Sequence, residues 1–285
     1  MKAMQKVIVI LGQTATGKSA LAVKIAKQIK GEIISADSRQ VYKGLDIGTG
    51  KITKKEMESV PHHLLDVANP KKQFTVVEYK KLAEKKIKEI LARGRVPIIC
   101  GGTGFYIDAI TKGIVLPRVP PNQKLRKVLN KKTTEELFDI LKILDKKRAS
   151  NIDSKNKVRL IRAIEIAKTL GKVPKITEVE PLYKFVKIGL YFPAPKLQKK
   201  VEKRVREMFE AGLLKEIKKL KSLGVSDERL KKFGFEYYKP TPEKVITKTI
   251  QYAKRQMTWF KRDKQIKWFD GKEYKNIEKY IKEKL

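Results

Sequence analysis

Residues 7–19, VIVILGQTATGKS, decide the fold of this chain. The apolar run Val7 to Leu11 leads directly into the pattern G-x-x-x-x-G-K-S. A buried strand followed by this pattern and then by a helix is the context in which the pattern binds phosphate. The predicted phosphate-binding loop, called the P-loop below, comprises Gly12, Gln13, Thr14, Ala15, Thr16, Gly17, Lys18 and Ser19.

Each part of the P-loop has a physical role. The glycines let backbone N–H groups close around phosphate oxygens, and the helix N-terminus adds positive potential. Lys18 is expected to reach the phosphate, and the Ser19 hydroxyl is suitably placed to bind Mg²⁺. The loop alone leaves the ligand open, because ATP, another nucleotide or a simple diphosphate would fit this chemistry.

Short apolar runs alternate with longer helical patterns in the first part of the chain. Because the runs are nearly continuous and rich in β-branched residues, they indicate parallel strands covered on both faces. The helical patterns are Lys18 to Lys30 and Val76 to Arg93. The predicted strands are Val7 to Leu11, Glu32 to Ala36, Leu64 to Val67, Val96 to Cys100 and Val186 to Phe192. We therefore expect an α/β fold with a parallel sheet flanked by helices.

The alternation stops after Gly113, where prolines interrupt the chain. Helical patterns then follow without an intervening strand as far as about Pro181. We expect residues 117–180 to form an inserted helical domain within a core of two parts, residues 1–116 and 181–285. In the second part, one helix is predicted from Lys196 to about Ala211. A further helix runs to about Lys221, and another covers Pro242 to Arg262.

The composition points to a polyanionic partner. With 67 Lys and Arg against 31 Asp and Glu, the net charge is +36, while 41% hydrophobic residues exclude a disordered basic tail. One cysteine and two histidines exclude an internal disulfide and the usual zinc sites, so a reducing cytoplasm is expected. The run Val7 to Leu11 is too short for a signal peptide, and no stretch approaches the roughly 20 apolar residues of a membrane helix.

Two further segments follow predicted strands. Asp37 comes directly after the second strand, at the sheet edge where ligands bind in such folds. It could bind Mg²⁺, act as a general base, or cap the following turn. The glycine cluster Gly101–Gly104 follows the fourth strand, and it includes Thr103, whose hydroxyl could contact a ligand.

Taken together, these motifs resemble the family of tRNA dimethylallyltransferases, also called tRNA isopentenyltransferases. The matching blocks occur in the family's order along nearly the whole chain, which makes the resemblance highly specific. They are the P-loop, SADSRQVYKGLDIGT at residues 35–49, PHHLLD at 61–66, GGTGFY at 101–106, RLIRAIE at 159–165 and KRQMTWFK at 254–261.

The resemblance implies a prenyl transfer. The P-loop would hold dimethylallyl diphosphate, and the acceptor would be N6 of the adenine just 3′ of the anticodon of a tRNA. Asp37 matches the family's general base, and Lys18 and Arg204 would stabilise the leaving diphosphate with Mg²⁺ at Ser19. Thr103 matches the threonine that holds the target nucleotide. We expect Mg²⁺ as the metal, a monomer, and no membrane contact.

The resemblance also implies a set of tRNA contacts. The target base must leave the anticodon stack, and RNA loops are recognised by stacking and by base-edge hydrogen bonds. The implied residues are Asp37, Ser38, Arg39, Gln40, Thr103, Arg126, Val158, Arg159, Leu160, Ile161, Arg162, Lys231, Lys232, Phe233, Gly234, Phe235, Lys254, Arg255, Gln256, Trp259 and Lys261.

Four positions depart from the family pattern. Gln13 replaces a proline in the P-loop, and Lys200 occupies a position that is often arginine. Phe235 and Glu236 replace the usual Tyr-Lys or Tyr-Arg after Gly234. Because a carboxylate repels phosphate, we expect no phosphate contact at Glu236.

Three other functions share parts of this pattern. A small-molecule kinase would use the same P-loop on ATP, and a related isopentenyltransferase would modify free adenine nucleotides. A non-enzymatic RNA-binding module would keep the basic surface without the chemistry. Acceptor-dependent phosphoryl transfer would favour the kinase, whereas salt-sensitive tRNA binding would argue against an enzyme for free nucleotides. Asp37→Ala discriminates against the RNA-binding module, because a tRNA-prenylating enzyme should keep tRNA binding in this variant and lose transfer.

Overall fold

The computed structural model describes residues 4–285. Its strands are β1 (Lys6–Gly12), β2 (Gly31–Ser35), β3 (His62–His63), β4 (Val96–Gly101), β5 (Ile114–Val115), β6 (Thr177–Glu178), β7 (Lys184–Tyr191) and β8 (Lys267–Asp270). Its helices are α1 (Lys18–Ile29), α2 (Val76–Ala92), α3 (Gly104–Thr111), α4 (Gln123–Leu129), α5 (Thr134–Leu144), α6 (Lys146–Ala149), α7 (Lys157–Leu170), α8 (Ala194–Glu210), α9 (Leu213–Ser222), α10 (Asp227–Phe233), α11 (Pro242–Phe260) and α12 (Tyr274–Lys284).

The chain divides into two compact units. One comprises the described residues through Gly113 together with Glu180–Leu285, and the other is Ile114–Val179. The first three positions of the predicted segment 1–116 lie outside the described residues. Every helix within residues 4–285 is too short or too polar to span a membrane.

A six-stranded sheet, in the order β3-β2-β4-β1-β7-β8, lies at the centre of the first unit. All five strand pairings are parallel, and β1 pairs with β4 on one side and β7 on the other. Since the carboxyl ends of parallel strands share one edge, the segments after β1, β2 and β4 meet there. These segments contain the P-loop, Asp37 and Thr103.

The apolar run of β1 is buried on both faces. Val7, Val9 and Leu11 pack in a core that includes residues of α2 and α3. Ile8 and Ile10 pack in a second core with residues of α1 and α12. Because helices cover both faces of the sheet, the strand needs no alternating polar positions, as the sequence predicts.

The second unit is built from α4 to α7 and the short antiparallel pair β5-β6. Its core includes Leu137, Leu141, Leu160 and Ile164. Glu165 is also buried in it, with 1% of its side chain exposed, and pairs with Arg126 at 2.7 Å. Because an unpaired buried carboxylate is strongly destabilising, this ion pair is needed to keep Glu165 in the core.

The predicted strand Leu64 to Val67 is wrong. The strand at this edge is β3, two residues long, and it ends at His63. Leu64 and Asp66 have φ angles of 62° and 56°, which lie in the left-handed region and are incompatible with an extended strand. The Asp66 carboxylate pairs with Lys51 at 2.6 Å, so the segment forms a folded turn instead.

The prediction of an insertion without strands is also wrong, because β5 and β6 pair with each other. Each has only two residues, which is too short for a hydrophobic period to be detected. Helix α3 and strand β8 were likewise not predicted. Helices α1, α2, α8, α9 and α11 lie within a few residues of their predicted bounds.

Candidate active site

The P-loop connects β1 to α1 by a sharp turn at Gly12. Its φ is +133°, and a Cβ at this position would lie 2.1 Å from the backbone oxygen of Leu190 on β7. A side chain would therefore clash with the neighbouring strand as well as strain the backbone. The close approach of the two backbones explains why the loop must begin with glycine.

Gln13 has a structural role in this chain. Its side chain is 7% exposed, and its Oε1 accepts a hydrogen bond from the backbone N–H of Phe192, just after β7. Its carbonyl accepts hydrogen bonds from the Thr16 hydroxyl and the Lys18 ammonium. The replacement of proline by Gln13 thus adds a hydrogen bond between the P-loop and the residue just after β7.

The amides at the start of α1 are available to a ligand. Within residues 4–285, the N–H groups of Gly17, Lys18 and Ser19 donate no hydrogen bond. The Thr14 N–H is occupied, because it donates to Oε1 of Gln256 at 2.8 Å, while Nε2 of Gln256 donates to the Gly102 carbonyl at 2.9 Å. Unpaired amides at a helix N-terminus form an anion-binding site.

Lys18 directs its ammonium inward, onto the Gln13 carbonyl. Burial lowers its pKa to about 8, and the positive charge of Arg204 contributes in the same direction. Cys100, near the end of β4, is also buried, and burial raises the pKa of this thiol to about 11. The thiol is therefore protonated at neutral pH and unsuited to nucleophilic catalysis.

Asp37 lies directly after β2, and one of its oxygens caps the following turn. Oδ1 accepts hydrogen bonds from the backbone N–H groups of Arg39 at 2.9 Å and Gln40 at 3.3 Å. Within residues 4–285, no group donates to Oδ2. The carboxylate is thus held in place by one oxygen, and the other can accept a proton.

Thr103 lies beside Asp37. Its hydroxyl oxygen accepts a hydrogen bond from the Ser38 N–H at 3.0 Å, and its own N–H donates to the Ala36 carbonyl at 3.1 Å. Parallel pairing of β2 with β4 brings these segments together. The sheet therefore fixes Thr103 and Asp37 next to each other at its carboxyl edge.

Arg204, on α8, bridges the P-loop and a turn at residues 46–50. Its Nη1 donates to the Thr14 hydroxyl at 3.3 Å, and its Nη2 donates to the Thr49 carbonyl at 3.0 Å. Burial lowers the pKa of this guanidinium, and the charge of Asp37 opposes the shift. A buried cation is thus held at the P-loop by two hydrogen bonds.

These residues surround one cavity in the first unit. Its lining comprises Thr14, Asp37, Ser38, Arg39, Gly48, Thr49, Arg204, Val205, Met208, Glu236, Thr249 and Tyr252. The structure thus brings together Thr14, Asp37 and Arg204, which the sequence places in three separate segments. Sequence reasoning missed Tyr252, which lines the same cavity and whose hydroxyl has its pKa raised to about 12 by burial.

Glu236 forms an ion pair with Arg39 at 2.6 Å in the wall of this cavity. The Glu236 side chain is 14% exposed. Burial raises the pKa of its carboxyl, and Arg39 opposes that shift. Glu236, which departs from the family pattern, is therefore paired with Arg39, an arginine of the turn after Asp37.

The other residues of the first unit for which tRNA contact is expected differ in exposure. Phe233 and Gln256 are buried, and Trp259 is half-buried with its Nε1 donating to Asp108 at 3.1 Å. The Gln40 side chain donates to the carbonyls of residues 49 and 50. The exposed cations are Lys231, Lys232, Lys254, Arg255 and Lys261.

In the second unit, only some of the expected contact residues are exposed. Val158 and Arg159 are exposed at the start of α7, whereas Leu160 and Ile161 lie in the core. Arg126 is bound to Glu165 through two nitrogens, and Arg162 donates to the Val119 carbonyl at 2.8 Å. Arg159 is thus the cation of this group whose side chain is directed to solvent.

The Ser19 hydroxyl of the P-loop fits a Mg²⁺ ligand. No cluster of three or more His, Cys, Asp or Glu side chains is present within residues 4–285. Mg²⁺ is commonly held by one or two protein groups together with substrate phosphates and water. The exposed Ser19 hydroxyl, next to unpaired amides, fits this mode of binding, because the remaining ligands would come from the diphosphate and water.

A protein-family model described as IPP transferase matches residues 40–263. The chain belongs to the IPP transferase family. It is 38% identical over 296 residues to a tRNA dimethylallyltransferase of Anoxybacillus flavithermus, with 99% of this chain and 95% of the relative covered. A tRNA dimethylallyltransferase of Pediococcus pentosaceus is also 38% identical over 304 residues, covering 98% and 97%.

Solved structures of IPP transferases have the same fold. The tRNA isopentenylpyrophosphate transferase of Bacillus halodurans is 35% identical with a TM-score of 0.73, covering 98% of this chain and 96% of the other. A eukaryotic dimethylallyltransferase, crystallised acting on tRNA, is 26% identical with a TM-score of 0.80, covering 98% and 77%. The predicted parallel α/β fold is confirmed, and this member of the IPP transferase family is a prenyltransferase.

Proposed function

We propose that this enzyme transfers the dimethylallyl group of dimethylallyl diphosphate to N6 of the adenine 3′ to a tRNA anticodon, at position 37, and releases diphosphate. The observation that carries the proposal is the shared cavity, where Asp37, Arg204 and Thr14 of the P-loop face one space. An anion site and a free carboxylate oxygen side by side are what this reaction needs. The proposed setting is the cytoplasm, and the proposed oligomeric state is a monomer.

The P-loop is suited to the diphosphate. The unpaired amides at Gly17, Lys18 and Ser19, together with the Lys18 ammonium, offer hydrogen bonds and positive charge to phosphate oxygens. Arg204 adds a second cation through its hydrogen bond to the Thr14 hydroxyl. When the allylic C–O bond breaks, negative charge grows on the leaving diphosphate, and these groups stabilise it.

Asp37 is suited to act as the base. The adenine N6 forms a bond to the allylic carbon as the C–O bond breaks, and the proton lost from N6 passes to the Asp37 carboxylate. Oδ2 is the oxygen available for this proton, because Oδ1 caps the turn. Thr103, hydrogen-bonded to Ser38, lies next to this position and would contact the target nucleotide.

Mg²⁺ would be held at Ser19 together with diphosphate oxygens, where it would supply additional neutralisation of the leaving group. The tRNA would bind through the basic residues, in keeping with a net charge of +36. The exposed cations of α10 and α11, and separately those of α7, would contact the tRNA.

The test is mass spectrometry of nucleosides from an unmodified tRNA with adenosine 3′ to the anticodon, incubated with the protein, Mg²⁺ and dimethylallyl diphosphate. We expect N6-dimethylallyladenosine at that position. Parallel reactions contain free AMP as the acceptor, or ATP in place of the prenyl donor. Prenylated AMP without prenylated tRNA, phosphoryl transfer, or tRNA binding without any product would each refute the proposal.

The lowered pKa of Lys18 predicts a pH dependence for diphosphate binding. In the free enzyme Lys18 is charged below about pH 8 and becomes neutral above it, so affinity is present at low pH and declines as the pH rises. We expect the affinity for inorganic diphosphate, measured by calorimetry between pH 7 and 9.5, to fall on passing pH 8. Constant affinity up to pH 9.5 would contradict this role of Lys18.

The two arginines of α7 are expected to differ in their effect on tRNA binding. Arg159→Ala should weaken binding and reduce the slope of log Kd against log salt by about one, because an exposed phosphate contact is lost. Arg162→Ala should mainly lower the Tm, because it removes the hydrogen bond to Val119. Filter binding at 50–300 mM salt and a thermal melt measure both. A salt slope unchanged in Arg159→Ala would exclude this residue from the interface.

A further inference from the structure

The Glu216 carboxylate, on α9, binds four hydrogen-bond donors. Oε2 accepts from the backbone N–H groups of Asp46 at 3.0 Å and Ile47 at 2.7 Å. Oε1 accepts from the N–H of Gly48 at 3.1 Å and from the Tyr237 hydroxyl at 2.8 Å. A single side chain from a distant part of the sequence thus fixes three consecutive amides of the turn at residues 46–50.

This turn carries the carbonyl that orients Arg204. The Thr49 carbonyl accepts from Nη2 of Arg204 at 3.0 Å. The next residue, Gly50, has φ +55°, and a Cβ there would lie 2.1 Å from the same nitrogen. The guanidinium is therefore packed directly against the turn, and a shift of the turn would displace it.

The contacts form a continuous chain from Glu216 to the P-loop. Glu216 fixes Gly48, the next residue, Thr49, holds Arg204, and Arg204 donates to the Thr14 hydroxyl. Residues 46–50 form neither a helix nor a strand, so no regular ladder determines their position. Charge-assisted hydrogen bonds to a carboxylate are about twice as strong as neutral ones. The Glu216 carboxylate thus anchors this turn through three backbone amides.

We propose that Glu216 is a positioning residue for prenyl transfer, which holds Arg204 in place for the leaving diphosphate through residues 46–50. The inference rests on the proposed function. Glu216 acts on Arg204 indirectly, since the four hydrogen bonds that it accepts come from Tyr237 and the turn. A misplacement of about 1 Å in a catalytic group can cost about 10²-fold in rate.

The first test is Glu216→Gln, which keeps the shape of the side chain but removes its charge and replaces one acceptor by a donor. The control is Glu210→Gln, the same charge change at an exposed position on α8. We expect kcat for tRNA prenylation to fall by about tenfold in Glu216→Gln, with the KM for tRNA changed less than about twofold. The control should match the wild type. An unchanged kcat in Glu216→Gln would overturn the proposal.

The second test is a double-mutant cycle with Arg204→Ala, measured by single-turnover prenylation. If Glu216 acts through Arg204, adding Glu216→Gln to Arg204→Ala should lower the rate by less than about twofold. Multiplicative rate effects would show that Glu216 acts independently of Arg204 and would overturn the proposal.

A milder variant keeps the proposal testable if Glu216→Gln does not fold. Tyr237→Phe removes one of the four donors, and its smaller rate defect should likewise vanish in the Arg204→Ala background. A defect that persists there would overturn the proposal. Wild-type enzyme is assayed first under the same conditions, so a failure of the proposed function would be seen as an absence of product before any variant is compared.

Discussion

Asp37→Asn is expected to lower kcat for tRNA prenylation by about 10²-fold or more, while tRNA binding is kept. Asparagine keeps an acceptor at the position of Oδ1, so the hydrogen bonds to the N–H groups of Arg39 and Gln40 can persist. It has no basic oxygen in place of Oδ2. The substitution therefore separates the two roles of Asp37, as a turn cap and as a base.

The measurement is the single-turnover rate of N6-dimethylallyladenosine formation, with tRNA affinity determined separately. Asp139→Asn, the same change at an exposed position of α5, is the control and should retain wild-type activity. Asp37→Ala removes both roles and should also lower the Tm. Turnover within a few-fold of the wild type in Asp37→Asn would rule out Asp37 as the general base.

Arg204→Ala is expected to lower kcat by about 10²- to 10³-fold, with a smaller rise in the KM for dimethylallyl diphosphate. The reason is that charge develops on the diphosphate in the transition state, when a fixed cation beside the P-loop contributes most. Arg204→Lys should restore little of this loss, because an ammonium lacks the planar guanidinium fork that donates to both Thr14 and Thr49.

The matched control is Arg206→Ala, which removes an exposed arginine two positions further along α8. Its kcat should equal that of the wild type, and any loss should be confined to tRNA affinity at low salt. If Arg204→Ala raised the KM for the diphosphate substrate and left kcat unchanged, Arg204 would contribute ground-state binding only.

The sequence predicts the parts of the fold that depend on local patterns. The run Val7 to Leu11 and the P-loop predict β1 and the turn into α1, because both carry strong short-range signals. The turn at Leu64 and Asp66 could not be predicted, because its positive φ angles occur at residues that seldom adopt them. The edge strand β8 has only four residues, too few for a secure pattern.

In the candidate site, too, the residues that can be predicted are those that lie in a local sequence pattern. Asp37 can be predicted because it directly follows a predicted strand, and Thr103 because it lies in the glycine cluster after another. Gln256 and Glu216 form hydrogen bonds with residues that are far from them in the sequence. Gln256 lies 242 positions from Thr14, and Glu216 lies 168 positions from Gly48. Nothing local identifies such pairs. The sequence shows Glu236 as a departure from the family pattern, but its ion pair with Arg39 depends on the folded structure.

The division of the sheet between two stretches of sequence has a consequence during synthesis. Strand β1 pairs with β7, so one side of the central strand stays unpaired until residues 184–191 have left the ribosome. At the usual rate of about 5–20 residues per second, this interval is on the order of ten seconds or more. An unpaired apolar strand edge invites aggregation. The nascent chain thus has a defined period in which a chaperone would be of most use to it.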